Sequence, residues 1–199
     1  MKKIQRINRC LRLLVLMSGI LFSVLHFMHP TAWPKQASYL ATMFLAFLPE
    51  IFGFLKIKVS GRLQFFYFLF LVVSMIGGID LELYRDWAGF DKVVHCASGA
   101  LVAVWAREVL EHYFGNLKSW DKLKNGKKQR EFVVLFTMAF VAMIALLWEC
   151  FEFGYDQLCG GNMQELLKPG VSDTMWDMIF ALIGGVVVSI GEILTKKNY

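Results

Sequence analysis

The chain has 199 residues, of which 57% are hydrophobic, 15% aromatic and only 19% charged. Soluble domains are about half apolar and a quarter charged, so the composition excludes an ordinary soluble enzyme and points to an integral membrane protein. The formal net charge of +5 would suit a nucleic-acid partner only if the basic residues gathered on one surface, and they are instead distributed among loops.

A membrane-spanning helix needs about 20 mostly apolar residues. Six blocks near that length follow one another: 13–29, 37–55, 63–79, 93–110, 132–153 and 173–194. The expected fold class is therefore all-α, a polytopic membrane bundle of six transmembrane helices in a single domain, 1–199. The first block follows a basic stretch, Met1 to Arg12, as a secretory signal would. Its apolar run continues through Phe27 with no small-x-small cleavage site, which reads as an uncleaved span. In the second block Pro49 predicts a kink, with Glu50 snorkelling at the inner end. After the third block, D-L-E-L-Y-R-D-W-A-G-F at 80–90 carries Asp80, Glu82 and Asp86 among aromatic residues. It reads as an element lying in the outer interface, a lid over whatever lies beneath. The basic stretch 118–130 reads as a stop-transfer loop rather than a lipid-binding patch. The connection 154–172, with Gly160-Gly161 and Lys168-Pro169-Gly170, is a candidate gate.

Orientation follows from the loops. With the N-terminus cytoplasmic, every Lys and Arg falls on the inner side except Lys35, Arg85, Lys92 and Lys168. Both termini are then cytoplasmic, and a nucleic-acid partner is disfavoured. The same topology gathers seven polar residues at the outer face. Asp91 and His95 open the fourth span, Glu149, Glu152 and Asp156 close the fifth, and Asp173 and Asp177 open the sixth.

Acidic residues at a span centre cost roughly 2.5–3.5 kcal/mol each even on lenient insertion scales, so they mark a functional site by default. Residues three or four apart share a helix face, which pairs Asp91 with His95 and Asp173 with Asp177, and makes a stripe of Glu149, Glu152 and Asp156. Like charges packed this way call for protonation or a cation. Carboxylates with an imidazole suit a divalent ion, Zn, Mn, Mg or Fe according to geometry, as in bundle-core metal sites. We expect His95, Glu149, Glu152, Asp173 and Asp177 as ligands, with Asp91 or Asp156 orienting a ligand or acting as base. Helix capping accounts equally well for Asp91 and Asp173 taken singly, and Asp156 can be read as solvated. His95, Glu149, Glu152 and Asp177, deeper in apolar segments, resist such readings. His26 and His29 read as interface histidines. Cys10, Cys96, Cys150 and Cys159 lack C-x-x-C spacing, so no zinc–thiolate site is expected. Gly99, Ala103, Gly184, Gly185 and Ser189 offer small-residue faces for close helix approach.

The runs F-D-K-V-V-H-C-A-S-G at 90–99, W-E-C-F-E-F-G-Y-D at 148–156 and D-T-M-W-D-M-I-F-A-L-I-G-G at 173–185 resemble the YjdF-type family of predicted bacterial inner-membrane proteins. More loosely they are similar to VanZ-like membrane proteins, which share the D-K-x-x-H opening. The resemblance implies a multi-pass protein of the bacterial cytoplasmic membrane and supplies no reaction; the VanZ-like likeness hints at cell-envelope lipids. Two function classes follow. In one, a metal centre binds or acts on a lipid or lipid-linked substrate at the outer leaflet, as a hydrolase or transferase. In the other, the acids form a cation- or proton-coupled transport site. The almost purely apolar inner halves of spans four to six favour the one-sided site. A metal-stabilised structural or partner-binding protein is a third reading. Oligomeric state is not legible.

Overall fold

The computed structural model describes residues 2–28, 33–115, 126–159, 163 and 171–196. All regular structure among them is helical: α1 Lys2–Met28, α2 Trp33–Leu45, α3 Leu48–Phe54, α4 Gly61–Leu71, a π-helical segment Val72–Asp80, α5 Leu83–Asp86, α6 Phe90–Phe114, α7 Gly126–Cys159 and α8 Ser172–Lys196. Among the described residues, five stretches are long and apolar enough to cross a membrane: Lys2–Leu25, Gly61–Ile79, Phe90–Phe114, Lys127–Leu158 and Ser172–Gly191.

The block expected at 37–55 is built differently from a continuous span. Proline lacks an N–H to continue a helical ladder. Here Pro49 sits in the first turn of α3, after a break at Ala46–Phe47 where the Phe47 N–H turns back to the Phe44 carbonyl. Two short helices, α2 and α3, thus replace one long one. Glu50 pairs with Arg12 of α1, away from the outer acidic cluster. The same end of the bundle holds the Asn8 side-chain amide on the Gly61 carbonyl and the Ser60 N–H on Glu108 Oε2, at 2.9 and 2.8 Å. Ser60 also caps α4, its hydroxyl accepting from the Leu63 N–H.

Two cores organise the packing. Val15, Ala46, Phe68 and Leu71 join α1, α4 and the α2–α3 break, while Ala103, Val141 and Ala181 join α6, α7 and α8. The second core rests on backbone proximity. A Cβ on Gly99 would lie 1.9 Å from the Ala181 carbonyl oxygen, and one on Gly184 would lie 1.9 Å from the Cys96 carbonyl oxygen. Only glycine admits such approach, which locks α6 against α8 one turn below His95 and two turns beyond Asp177. Large apolar side chains such as Leu14, Met17, Leu21, Leu135 and Val187 are exposed around the bundle, as a lipid-facing perimeter requires.

Helix length sets the depth of the polar end. From Arg130 to Glu149, α7 rises roughly 28 Å at 1.5 Å per residue, against about 30 Å of hydrocarbon. From Asp91 to Glu111, α6 rises roughly 30 Å. Asp91 and Glu149 thus lie about one hydrocarbon thickness along their helices from Glu111 and Arg130, and His95 and Asp177 are one turn along α6 and α8 from Asp91 and Asp173.

Candidate metal centre

Three helices contribute to the site, and each does so by its own periodicity. Asp91 and His95 are one turn apart at the start of α6, Glu149, Glu152 and Asp156 line the far end of α7, and Asp173 and Asp177 lie in the first turns of α8. All except Asp91 are buried; Asp177 is 2% exposed and Glu149 4%. His95 Nε2 stands 3.4 Å from Asp91 Oδ1 and 3.8 Å from Asp177 Oδ1. One ligand atom from each of the three residues falls within 4.8 Å of the others.

The sequence marks Lys92 only as an outer basic residue, and in the structure it stands at the centre of this cluster. Its Nζ lies 2.8 Å from Asp91 Oδ2, 2.8 Å from Asp173 Oδ1 and 2.5 Å from Asp177 Oδ1. The D-K dipeptide was the available signal. Helical periodicity points the two side chains about 100° apart, and only the arrival of α8 shows that the long Lys stem reaches across to two more carboxylates.

The other expected residues are distributed around this core. Asp91 and Asp173 occupy first-turn positions, where a negative charge also favours the helix dipole, but their carboxylates engage Lys92. Gly89, the residue preceding α6, makes no side-chain cap. Glu149 is hydrogen-bonded to Thr174 and has His95, Asp173 and Asp91 as electrostatic neighbours, while its Oε2 is buried without a hydrogen-bond partner. Glu152 accepts a 2.7 Å hydrogen bond from the Trp148 indole N–H. Asp156 is buried rather than solvated, because α7 continues to Cys159 through the start of the expected loop, and it accepts the Met163 N–H at 2.8 Å. Cys10, Cys96 and Cys150 are free thiols. His29, the side chains of His26, Asp80 and Cys159, the residues 116–125 of the basic loop, and Gly160, Gly161, Lys168, Pro169 and Gly170 of the candidate gate lie outside the described residues.

The segment after the third block does come to the site. Glu82 adopts left-handed backbone at φ 57° and turns the chain into α5. Tyr84 then packs edge-on to Phe90 at 5.0 Å. It fits there because residue 78 is glycine: a Cβ would lie 2.1 Å from Tyr84 Cε2. Burial, with Asp91, Glu152 and Asp177 nearby, pushes the Tyr84 phenol up from its ordinary value, so it is a neutral donor or acceptor. The π-helical segment beside it supplies Ser74, Met75 and Ile79 to the same cavity, consistent with the use of π-helical turns near functional sites.

Beneath the cluster runs a cavity of about 630 Å³ between the two cores. Asp91, His95, Glu152 and Tyr84 line one end, and Phe52, Val59 and Trp105 the other. The shaft between them is almost wholly apolar, including Leu71, Val94, Leu101, Val102, Ile144 and Ala145.

A model of the DUF2238 family, described as predicted membrane proteins, matches residues 8–198. The chain belongs to that family, which includes YjdF, as the motifs of the last three spans led us to expect. The match gives the looser VanZ-like resemblance no specific support. No curated protein and no solved structure matches the chain.

Proposed function

For a member of this membrane-protein family, we propose that Asp91, His95 and Asp177 bind a divalent cation at the head of the cavity, and that the ion holds the polar group of a membrane lipid or lipid-linked substrate. One observation carries the reading. Two ligands about 2.1 Å from a tetrahedral ion are about 3.4 Å apart, and His95 Nε2 stands 3.4 and 3.8 Å from the two aspartate oxygens. Glu149 is the next candidate ligand, since its orphaned Oε2 would otherwise be a costly buried charge. Lys92 keeps Asp173 and Asp91 Oδ2 in place. It competes with the ion for Asp177.

A metal in this position would polarise a phosphoryl or carbonyl oxygen. The apolar inner half of the cavity favours a one-sided lipid site over a transport pathway. The loop charges support six membrane crossings, with α2 and α3 together as a broken second one, both termini on the cytoplasmic side of a bacterial inner membrane, and the cluster facing out.

The test is metal analysis of chelator-free purified protein beside Asp177→Asn and Glu149→Gln. We expect about one Zn, Mn or Mg per wild-type chain, strongly reduced in Asp177→Asn. Equal, substoichiometric metal in all three folded proteins refutes the site.

A further inference from the structure

The cavity has a head, a shaft and a floor, and each is chemically distinct. The head carries the convergent side chains of Asp91, His95 and Glu152. The floor is Trp105, whose ring packs on Phe52 at 4.3 Å and on Phe140 at 5.2 Å between centroids. The Trp105 ring of α6 is thus held between Phe52 of α3 and Phe140 of α7. Pro49 and Val59 stand in the wall shared with a second, more polar cavity beyond, where Glu108, Glu111 and His112 lie. The hydroxyls along the shaft, those of Tyr67, Ser74 and Ser98, already donate to the Leu45, Phe70 and His95 carbonyls, and the rest of its wall is apolar. A polar solute gains nothing in it, whereas an alkyl chain gains apolar contact along its whole length.

We propose that this shaft is a chain-length ruler that takes one alkyl chain of a lipid whose anionic head, a phosphate or carboxylate, sits at the cluster, with Trp105 setting the longest chain that fits. The proposal rests on the metal reading for the sign of the head group: the acids outnumber Lys92 and His95, so an anion is held there only through a cation. The length follows from α6. His95 to Trp105 is roughly 15 Å at 1.5 Å per residue, and zigzag C–C bonds of about 1.5 Å fill that distance with on the order of 12 carbons.

The experiment uses the full chain in nanodiscs with Mn²⁺ and a series of labelled n-alkyl phosphates of increasing chain length, with retention on empty nanodiscs subtracted. Retention is expected to rise to about 12 carbons and then break. Trp105→Ala moves the break to longer chains, and Ala145→Trp, which fills the shaft from α7, moves it to shorter ones. Retention that climbs smoothly through the longest chains, or a break that stays put in both folded variants, overturns the ruler. If Trp105→Ala does not fold, Ala145→Trp and the milder Trp105→Phe carry the test. Repeating the series with chelator, in Asp177→Asn, and with n-alkyltrimethylammonium probes separates the two ideas. A break that persists without metal, or appears for the cationic probes, overturns the metal reading and the anionic head with it, and leaves only the chain-length limit standing. Metal-dependent retention with no break does the reverse.

Discussion

Replacing Lys92 by Met removes the one ammonium that three carboxylate oxygens share at 2.5–2.8 Å. Asp173 and Asp177 are 5% and 2% exposed, and the Lys92 side chain itself is 17% exposed. Removing one partner from a buried ion pair costs about 3–5 kcal/mol, because the other charge is left uncompensated. The partial exposure of Lys92 lets some water replace it, which places the loss near the lower figure, about 3 kcal/mol. At roughly 2–4 °C per kcal/mol for a chain of this size, the metal-free variant should melt roughly 6–12 °C below wild type. Met retains the apolar stem, so the packing along α6 is nearly preserved and the loss is electrostatic. A divalent ion should then do what the ammonium did. Saturating Mn²⁺ is expected to return most of the lost stability, and the variant should bind Mn²⁺ at least about tenfold more tightly than wild type, since the competing charge is gone. The assay is thermal unfolding in detergent, with chelator and with a Mn²⁺ titration. A metal-free variant that melts within about 2 °C of wild type would refute the claim that Lys92 holds the acids together. A large loss that Mn²⁺ does not restore would refute the claim that a metal takes the same carboxylates.

Two further outcomes follow from the packing and the loops. Gly99→Leu should prevent stable folding, since even a Cβ there meets the Ala181 carbonyl oxygen at 1.9 Å, whereas Gly191→Ala, with nothing within 4 Å, should be neutral or stabilise by about 0.5–1 kcal/mol; expression and gel-filtration profiles compare them, and a well-folded Gly99→Leu would contradict the backbone contact. For orientation, with Cys10, Cys96, Cys150 and Cys159 replaced by Ser, a single cysteine at Val171, which is 72% exposed, should react with a membrane-impermeant maleimide in intact cells, while a single cysteine at Lys2 should react only after permeabilisation; the opposite pattern would invert the topology.

What could be read from the sequence follows from physics that acts locally along the chain. Burial of backbone polar groups in lipid requires helices, and blocks of apolar residues mark where they run. Charge at loops bears on their sidedness, and a carboxylate is expensive inside a span wherever the rest of the fold lies. That is why Asp91, His95, Glu149, Glu152, Asp173 and Asp177 stood out, and why Gly99 and Gly184 were legible as contact points. The second block was only half legible. Its apolar content predicts a span, but whether Pro49 bends a helix or divides it depends on what packs at the break, and Ala46 packs into the core with Val15, Phe68 and Leu71.

Which polar atoms meet is a different kind of fact. Asp91, His95 and Asp177 converge because two glycines let α6 and α8 touch through their backbones, and that same crossing brings Lys92 to Asp173 and Asp177. Neither the triad nor the ammonium among the acids could be told from spacing, because contacts more than 80 residues apart in the chain are set by how helices cross. The cavity is tertiary in the same sense. Its shaft is lined by side chains from the π-helical segment, α4, α6 and α7, most of them ordinary apolar residues in sequence. The residues worth suspecting were thus written into the chain, and their assignment to one compact centre with Lys92 inside it came only with the fold.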